Sequence, residues 1–226
     1  MHTVFVTGTD TGVGKTLVSA ALVTYWAKQG FKSIGFKPVA AGAEWKNAML
    51  QNEDAEALMA ASNVALDYAQ VNPYVFELAT APHIAADKAG SAIDVSILDA
   101  AYKYIHPLCE KLVVEGAGGW QVPFNDTTSF ADWVSQNQWP VILVVDIKLG
   151  CLNHARLTCL DILRSGNRLA GWIANVRSEN VDYSDEMVQS LATFIDAPLL
   201  GNVPPLPTPN AESLLPYLDF SLLEIT

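Results

Sequence analysis

A glycine-rich segment at residues 8–16 follows a short apolar run and precedes an apolar helical pattern. It reads Gly-Thr-Asp-Thr-Gly-Val-Gly-Lys-Thr, which is typical of a loop that binds phosphate. In such a loop, backbone N–H groups and the positive end of the next helix bind a polyphosphate, Lys15 reaches its terminal phosphates, and the Thr16 hydroxyl binds Mg²⁺. Five residues separate Gly8 from Gly14, one more than in the usual P-loop. The segment predicts nucleotide binding.

Polar side chains also stand at the carboxyl ends of several apolar runs. Lys37 closes one run and precedes a proline, so beside a phosphate loop it would bring a second ammonium to the anionic centre. Glu115 and Asp146 each close another run. Ligands of open parallel sheets gather beyond the carboxyl ends of the strands, which is where these side chains would lie. The pattern therefore predicts one binding centre at that edge of a sheet.

Mg²⁺ bound to a nucleotide takes one or two carboxylates in addition to phosphate oxygens and water. Glu115 and Asp146 compete for this role, and the sequence favours Glu115 because the glycines after it would let backbone approach a phosphate. Asp54 is a candidate second ligand at the start of a helical segment. Acidic residues at such a position also interact favourably with the helix dipole, so the residues alone leave both choices open.

A sheet and its helices must bring these side chains together. The sequence predicts strands at residues 3–8, 33–37, 111–115, 140–146, 169–175 and 198–203. It predicts helices at residues 15–29, 53–63, 83–89, 94–106, 129–138, 152–165 and 182–195. Strands that alternate with helices of this length imply parallel pairing with right-handed crossovers. We expect an α/β fold in which residues 1–226 form a single domain, a doubly wound and mainly parallel sheet with helices on both faces.

The composition limits the classes of partner. The 226 residues include 13 Lys and Arg against 24 Asp and Glu, and the net charge of −11 argues against nucleic acid as a ligand. No apolar run is long enough to cross a bilayer and the N-terminus lacks a signal-peptide pattern, so we expect a cytoplasmic protein without a membrane partner. The three cysteines form no CxxC pair and the four histidines lack metal-ligand spacing, so we expect packing roles for them.

Four motifs, in order along the chain, resemble those of the dethiobiotin synthetase family of biotin biosynthesis. They are residues 5–16, residues 37–42 (Lys-Pro-Val-Ala-Ala-Gly), residues 114–119 (Val-Glu-Gly-Ala-Gly-Gly) and residues 148–154 (Lys-Leu-Gly-Cys-Leu-Asn-His). The resemblance implies a ligase that closes a cyclic urea. In that reaction 7,8-diaminononanoate and CO₂ form a carbamate, ATP phosphorylates it to a carbamic-phosphoric anhydride, and the second amine displaces phosphate. Such chemistry requires positioning and charge neutralisation and no enzyme nucleophile.

The resemblance also implies roles for the residues that match the motifs. Mg²⁺ would be held by Thr16, Asp54 and Glu115. The expected catalytic residues are Lys15 and Lys37, which would stabilise charge on the transferred phosphate and the carbamate, and Thr11, which would lie close to the diamine.

The implied binding residues form a larger set. Residues that would bind ATP are Gly12, Val13, Gly14, Lys15, Thr16, Leu17, Asp54, Glu115, Gly116, Ala117 and Gly118 around the phosphates, and Asn175, Val176, Pro204, Pro205 and Leu206 around the adenine. Residues that would bind the diamine substrate are Thr11, Lys37, Ala41, Leu149, Gly150, Cys151, Leu152 and Asn153. In this family the segment 149–153 comes from the neighbouring subunit, so a homodimer is implied.

The chain departs from the family pattern at three positions. Family members often have Glu at the position of Gly12 and Ser at that of Ala41, so only backbone groups can contact the substrate at 41. The acidic ribose contact expected near 211 falls on Ala211, next to Glu212. Ribose recognition is therefore left unassigned.

Two alternative functions are compatible with a P-loop sheet. The first is a partner-regulated ATPase of the partitioning or division-site type. Those proteins typically carry a second lysine early in the phosphate loop, and some end in a basic amphipathic helix. Residues 9–13 contain no lysine and residues 217–224 contain no basic side chain. The second alternative is another amide- or urea-forming ligase on the same scaffold, which would differ in its substrate.

Overall fold

Six parallel strands form the central sheet of the computed structural model, which describes residues 2–223. The strands of the chain are β1 His2–Gly8, β2 Ser33–Phe36, β3 Val39–Ala41, β4 Glu44–Lys46, β5 Met49–Gln51, β6 Tyr74–Phe76, β7 Lys111–Glu115, β8 Val141–Asp146, β9 Leu169–Asn175 and β10 Leu199–Val203. The central sheet has the order β10-β9-β8-β1-β7-β2. Its strands pair in parallel throughout, so the predicted α/β sheet is confirmed.

Helices connect these strands. They are α1 Lys15–Lys28, α2 Glu53–Ala61, α3 Tyr68–Val71, α4 Pro82–Lys88, α5 Val95–Ile105, α6 Phe130–Asn137, α7 Cys151–Arg164, α8 Ser184–Phe194 and α9 Ala211–Leu214. No helix within residues 2–223 is long and apolar enough to cross a membrane.

Successive side chains of β1 point into two different cores. Val4 and Val6 pack on the face covered by α1, together with Leu22 of that helix. Phe5 points to the opposite face and packs against Phe130 of α6, with 5.8 Å between ring centroids. Because both faces are covered, the central strands can be apolar at every position, which explains the continuous apolar runs of the sequence.

The sequence did not predict four short strands, β3 to β6, or the two short helices α3 and α9. β3 pairs in parallel with β6, and β4 pairs with β5 as an antiparallel hairpin. Each of these strands has only three residues, too few for a hydrophobic period to be visible. The predicted second strand also ends one residue early, at Phe36, so Lys37 lies just beyond it. The expectation of packing roles for the cysteines is confirmed by the burial of all three as free thiols.

Candidate active site

The phosphate loop joins β1 to α1 and is held in place by the neighbouring strands. The N–H of Thr9 donates to the carbonyl of Val144 at 3.1 Å. Asn175, at the end of β9, donates its Nδ2 to the carbonyl of Val13 at 2.8 Å. Gly14 has a φ of 101°, and a β-carbon there would lie 2.3 Å from Asn175 Nδ2. Only glycine fits this position. The backbone is in the left-handed conformation, and the Asn175 amide occupies the space that a side chain would need.

Lys15 folds back over its own loop. Its Nζ donates to the backbone carbonyl of Asp10 at 3.0 Å, and the residue is buried. Burial, with the nearby Lys37 as a second cause, lowers the pKa of Lys15 to about 8, although Glu115 and Asp54 oppose the shift. Burial deprives this ammonium of stabilisation by water. An anionic ligand beside it would therefore stabilise its charged form strongly.

Four side chains converge beside Lys15. Lys37 Nζ lies 2.6 Å from Glu115 Oε1 and 2.7 Å from Asp54 Oδ2, and it also donates to the carbonyl of Gly116 at 3.2 Å. Thr16 Oγ1 lies 2.6 Å from Asp54 Oδ1 and 2.9 Å from Glu115 Oε1. The structure thus brings together side chains from α1, α2 and the ends of β2 and β7, which are far apart in the sequence.

Charge and burial act against each other in this cluster. Burial opposes the charge of Lys37, but Glu115 and Asp54 outweigh it and raise its pKa. Burial also opposes ionisation of Asp54, yet the charge of Lys37 and hydrogen bonds from Lys37 and Thr16 lower its pKa. For the fully buried Glu115, burial dominates and raises the pKa despite the attraction of Lys37.

The donor set fits a magnesium ion. Glu115 Oε2 is buried and has no hydrogen-bond partner among residues 2–223. Thr16 has one hydroxyl proton but lies within hydrogen-bond distance of two carboxylate oxygens, so it can satisfy only one of them at a time. One hydroxyl and two carboxylates are hard oxygen donors of the kind that Mg²⁺ prefers. Asp146 lies outside the cluster and pairs with Lys148 at 3.0 Å, so the structure brings Glu115, not Asp146, to this centre.

Comparison with known sequences decides the family. A family model described as an AAA domain matches residues 2–213. ATP-dependent dethiobiotin synthetase BioD 1 of Escherichia coli (strain K12) is 45% identical over 220 residues, which cover 97% of this chain and 98% of that protein. ATP-dependent dethiobiotin synthetase BioD of Yersinia pestis bv. Antiqua (strain Angola) is 44% identical over 225 residues, which cover 97% and 94%. The chain belongs to the dethiobiotin synthetase family.

Solved structures of lower identity show the fold alone. The septum site-determining protein MinD complexed with Mg-ADP from Pyrococcus horikoshii OT3 superposes with a TM-score of 0.57 at 17% identity, covering 91% of this chain and 82% of that one. MinD of Aquifex aeolicus gives 0.56 at 19% identity. The MinD cell division proteins therefore share the fold with this member of the dethiobiotin synthetase family. The sequence relatives at 44–45% identity do not favour the partitioning or division-site ATPase as an alternative function.

The loop after β7 lies against the phosphate loop in this dethiobiotin synthetase fold. The N–H of Gly116 donates to the carbonyl of Val6 at 3.0 Å. A β-carbon on Gly118 would lie 3.6 Å from Thr11 Oγ1, and one on Gly119 would lie 3.6 Å from the carbonyl oxygen of Gly8. Thr11 and Gly118 therefore lie next to each other, where the loop after β7 meets the phosphate loop.

The residues expected around the adenine lie at the ends of β9 and β10. Asn175 and Val176 are buried, and the N–H of Val176 donates to the carbonyl of Val203 at 2.8 Å. Pro204, Pro205 and Leu206 follow Val203 and are half-buried. One amide hydrogen of Asn175 is already used on the phosphate loop, which leaves its other hydrogen and its oxygen for a base edge.

A groove of about 720 Å³ runs along α1 from Thr16 and Leu17. Its lining also includes residues 209–212, the segment in which a ribose contact is expected. Glu212 pairs there with Lys28 at 2.8 Å, on the surface. The structure thus brings residues 209–212 to the same groove as the start of α1.

Three polar residues that the sequence did not single out hold Lys37 and Asp54 in place. Buried Asn72 donates its Nδ2 to the carbonyl of Lys37 at 2.7 Å and accepts on Oδ1 from the Tyr68 hydroxyl at 2.9 Å. The Tyr68 oxygen in turn accepts from the N–H of Asn52 at 2.7 Å, and Asn52 Oδ1 caps α2 by accepting from the N–H of Asp54 at 3.1 Å. One hydrogen-bonded chain therefore links the two residues that pair in the centre.

The Asn52 side chain also reaches the segment after Lys37. Its Nδ2 donates to the carbonyl of Ala41 at 3.4 Å. The sequence carried a weak signal for these polar residues, since Asn72 precedes a proline in a turn and Asn52 precedes the acidic start of a helix.

The segment 149–153 precedes and begins α7. Leu149 is 94% exposed and Asn153 is exposed, whereas Cys151 is buried with its Sγ 3.7 Å from Met187 Sδ. The N–H of Cys151 donates to the carbonyl of Lys148 at 2.9 Å. Within residues 2–223, no hydrogen bond joins this segment to the catalytic residues expected from the dethiobiotin synthetase pattern.

Proposed function

We propose that the protein is a cytoplasmic, homodimeric dethiobiotin synthetase that uses ATP. It forms dethiobiotin, ADP and phosphate from 7,8-diaminononanoate and CO₂. The observation that carries this proposal is the convergence of Thr16, Lys37, Asp54 and Glu115 beside a phosphate loop, in a chain that is 45% identical to a named dethiobiotin synthetase over nearly its full length. The cluster contains cations and metal ligands but no activated nucleophile, which fits a reaction between bound substrates.

Lys15 and Lys37 stabilise negative charge during phosphoryl transfer to the carbamate. Both ammonium groups are buried, so their interaction with phosphate and carbamate oxygens is stronger than it would be in water. Lys37 needs no reorganisation to act, because its side chain is held by two carboxylates and its backbone carbonyl by Asn72. The reaction then depends on the positions of the amine, the carbamate and ATP, which the pocket fixes.

Thr16, Asp54 and Glu115 would hold Mg²⁺. The ion would supply charge neutralisation to the phosphates of the nucleotide. The unpartnered oxygen of Glu115 and the shared hydroxyl of Thr16 support this assignment.

The other contacts follow the family pattern. Gly12 to Leu17 and Glu115 to Gly118 surround the phosphates. Asn175, Val176 and residues 204–206 hold the adenine. Thr11 contacts the diamine, and Ala41 offers the substrate backbone groups only.

A second copy of the chain would complete the substrate site. The segment 149–153 makes no hydrogen bond to the catalytic residues of its own chain, and Leu149 is almost fully exposed. Leu157, Leu160 and Leu163 of α7 add further exposed apolar surface next to it. Burial of these side chains against a partner would bring the N-terminus of α7 to the carboxylate of the diamine.

The direct test is an assay of the purified protein with ATP, Mg²⁺, bicarbonate and the diamine. We expect ADP release that requires the diamine and a product with the mass of dethiobiotin. ADP release that does not respond to the diamine would contradict the proposal and would favour a P-loop ATPase of another class.

A further inference from the structure

An arginine that belongs to none of the four motifs lies beside the phosphate loop. Arg177 comes two residues after Asn175. A β-carbon placed on Gly12 would lie 3.8 Å from Arg177 Nη1, and nothing else in residues 2–223 beyond the loop's adjacent positions would come within 4 Å of it. The guanidinium therefore faces the loop directly across Gly12.

The backbone that carries Arg177 is fixed to the loop and to the sheet. Asn175 Nδ2 donates to the carbonyl of Val13, and the N–H of Val176 donates to the carbonyl of Val203. These two contacts set the distance between the start of the Arg177 side chain and the phosphate loop. The Arg177 side chain therefore begins from a backbone position that hydrogen bonds hold next to the loop.

The guanidinium has no competing partner among residues 2–223. Arg177 is exposed, and no hydrogen bond or ion pair joins its side chain to another residue within 2–223. Gly12 has a φ of 72° and contributes no side chain to the space between the loop and the guanidinium. The charge of Arg177 is therefore available to a ligand in the loop, in a chain whose net charge is −11.

We propose that Arg177 binds the polyphosphate of the nucleotide held by the phosphate loop. A planar guanidinium can donate two parallel hydrogen bonds to phosphate oxygens, which Lys15 and Lys37 cannot do. Arg177 thus adds a third cation, from the end of β9, to the two that the motifs supply. The inference rests on the nucleotide binding of the proposed function and assigns a further residue to that site.

The test is an equilibrium titration of Arg177→Gln with ATP and Mg²⁺ in the absence of the diamine, followed by competition with adenosine. We expect ATP affinity to fall about tenfold or more, because a charge-assisted hydrogen bond is lost. The affinity for adenosine, which has no phosphate, should stay within about twofold. Lys103→Gln is the matched control, since it removes one exposed positive charge from α5, and it should leave ATP affinity unchanged.

Three results would overturn the assignment. The first is an ATP affinity of Arg177→Gln within about twofold of the wild type. The second is an equal loss for ATP and adenosine, which would place Arg177 at the base or ribose. The third is an equal effect of Lys103→Gln. Because binding is measured without the diamine, failure here leaves the synthetase assignment intact, and a wild-type protein that makes no cyclic urea leaves the Arg177 result intact.

Discussion

Lys37 Nζ lies 2.6 Å from Glu115 Oε1, and neither side chain reaches solvent beyond a few per cent of its surface. Asp54 is the second carboxylate on the same ammonium, at 2.7 Å. The positive charge of Lys37 thus pairs with the half-buried Asp54 and with the fully buried Glu115, whose carboxylate would be strongly destabilising without a partner. The same arrangement places a buried ammonium and carboxylate oxygens side by side, next to the Thr16 hydroxyl.

Lys37→Ala should impair both turnover and stability. Removal of the ammonium leaves the Glu115 and Asp54 carboxylates without their cation, so we expect the free energy of unfolding to fall by about 3 kcal/mol. Turnover should fall by about 100-fold or more, because charge stabilisation in phosphoryl transfer is lost. Urea unfolding and steady-state ADP release measure the two effects.

Lys46→Ala is the matched control for that variant. Lys46 makes a pair of similar length with Glu56, at 2.7 Å, but on the surface. Exposed ion pairs contribute little to the free energy of unfolding, so Lys46→Ala should resemble the wild type in both measurements. Equal unfolding midpoints and equal turnover for the two variants would contradict the stabilising and catalytic roles of Lys37.

Tyr68→Phe should lower activity although Tyr68 is not one of the side chains that converge at the active site. The substitution removes the hydroxyl that donates to Asn72 and accepts from the N–H of Asn52, so both groups lose a partner. We expect a loss of stability of about 1–3 kcal/mol and a lower kcat, because the backbone of Lys37 and the cap of α2 lose their link. Tyr104→Phe removes a hydroxyl from a half-exposed tyrosine of α5 and should change neither quantity. A kcat of Tyr68→Phe equal to that of Tyr104→Phe would contradict the positioning role.

Gly14→Ala should abolish nucleotide binding. The new methyl would lie 2.3 Å from Asn175 Nδ2, so either the amide or the loop must move. Gly166→Ala is the matched control, since Gly166 also has a positive φ, 76°, but nothing lies within 4 Å of its β-carbon. Both variants should lose about 1 kcal/mol of stability from backbone strain. Gly14→Ala should lose more because of its clash with Asn175, and it alone should lose ATP binding in a titration. ATP binding by Gly14→Ala at wild-type affinity would show that the loop does not need the Asn175 contact.

A mixing experiment tests whether two chains build one substrate site. Lys37→Ala and Asn153→Asp should each have low activity, the second because a carboxylate at the start of α7 would repel the carboxylate of the diamine substrate. If residues 149–153 act on the partner's site, a mixed dimer contains one site with neither substitution, and mixing should restore activity. Activity that stays at the average of the two variants after subunit exchange would place both residues in the same chain's site.

The central strands could be predicted from the sequence because each is an apolar run buried on both faces. Strands β3 to β6 could not be predicted, because three-residue strands depend on tertiary pairing more than on their own pattern. Residue types at strand and helix ends made Thr16, Lys37, Asp54 and Glu115 candidates for one site. The assignment of Asp54, and the choice of Glu115 over Asp146, needed the family resemblance.

The supporting residues could not be predicted in the same way. Asn52, Tyr68 and Asn72 act through hydrogen bonds to backbone groups, which impose no spacing on the sequence. Arg177 lies outside every motif, and only the fold brings it to Gly12.

The most direct test of the central claim is a single-turnover reaction with ¹³C-labelled bicarbonate, the diamine, ATP and Mg²⁺, analysed by mass spectrometry. We expect a cyclic urea that carries the label at its carbonyl carbon, with one ADP formed for each molecule of product. A labelled product without ADP, or ADP without a labelled cyclic urea, would contradict it.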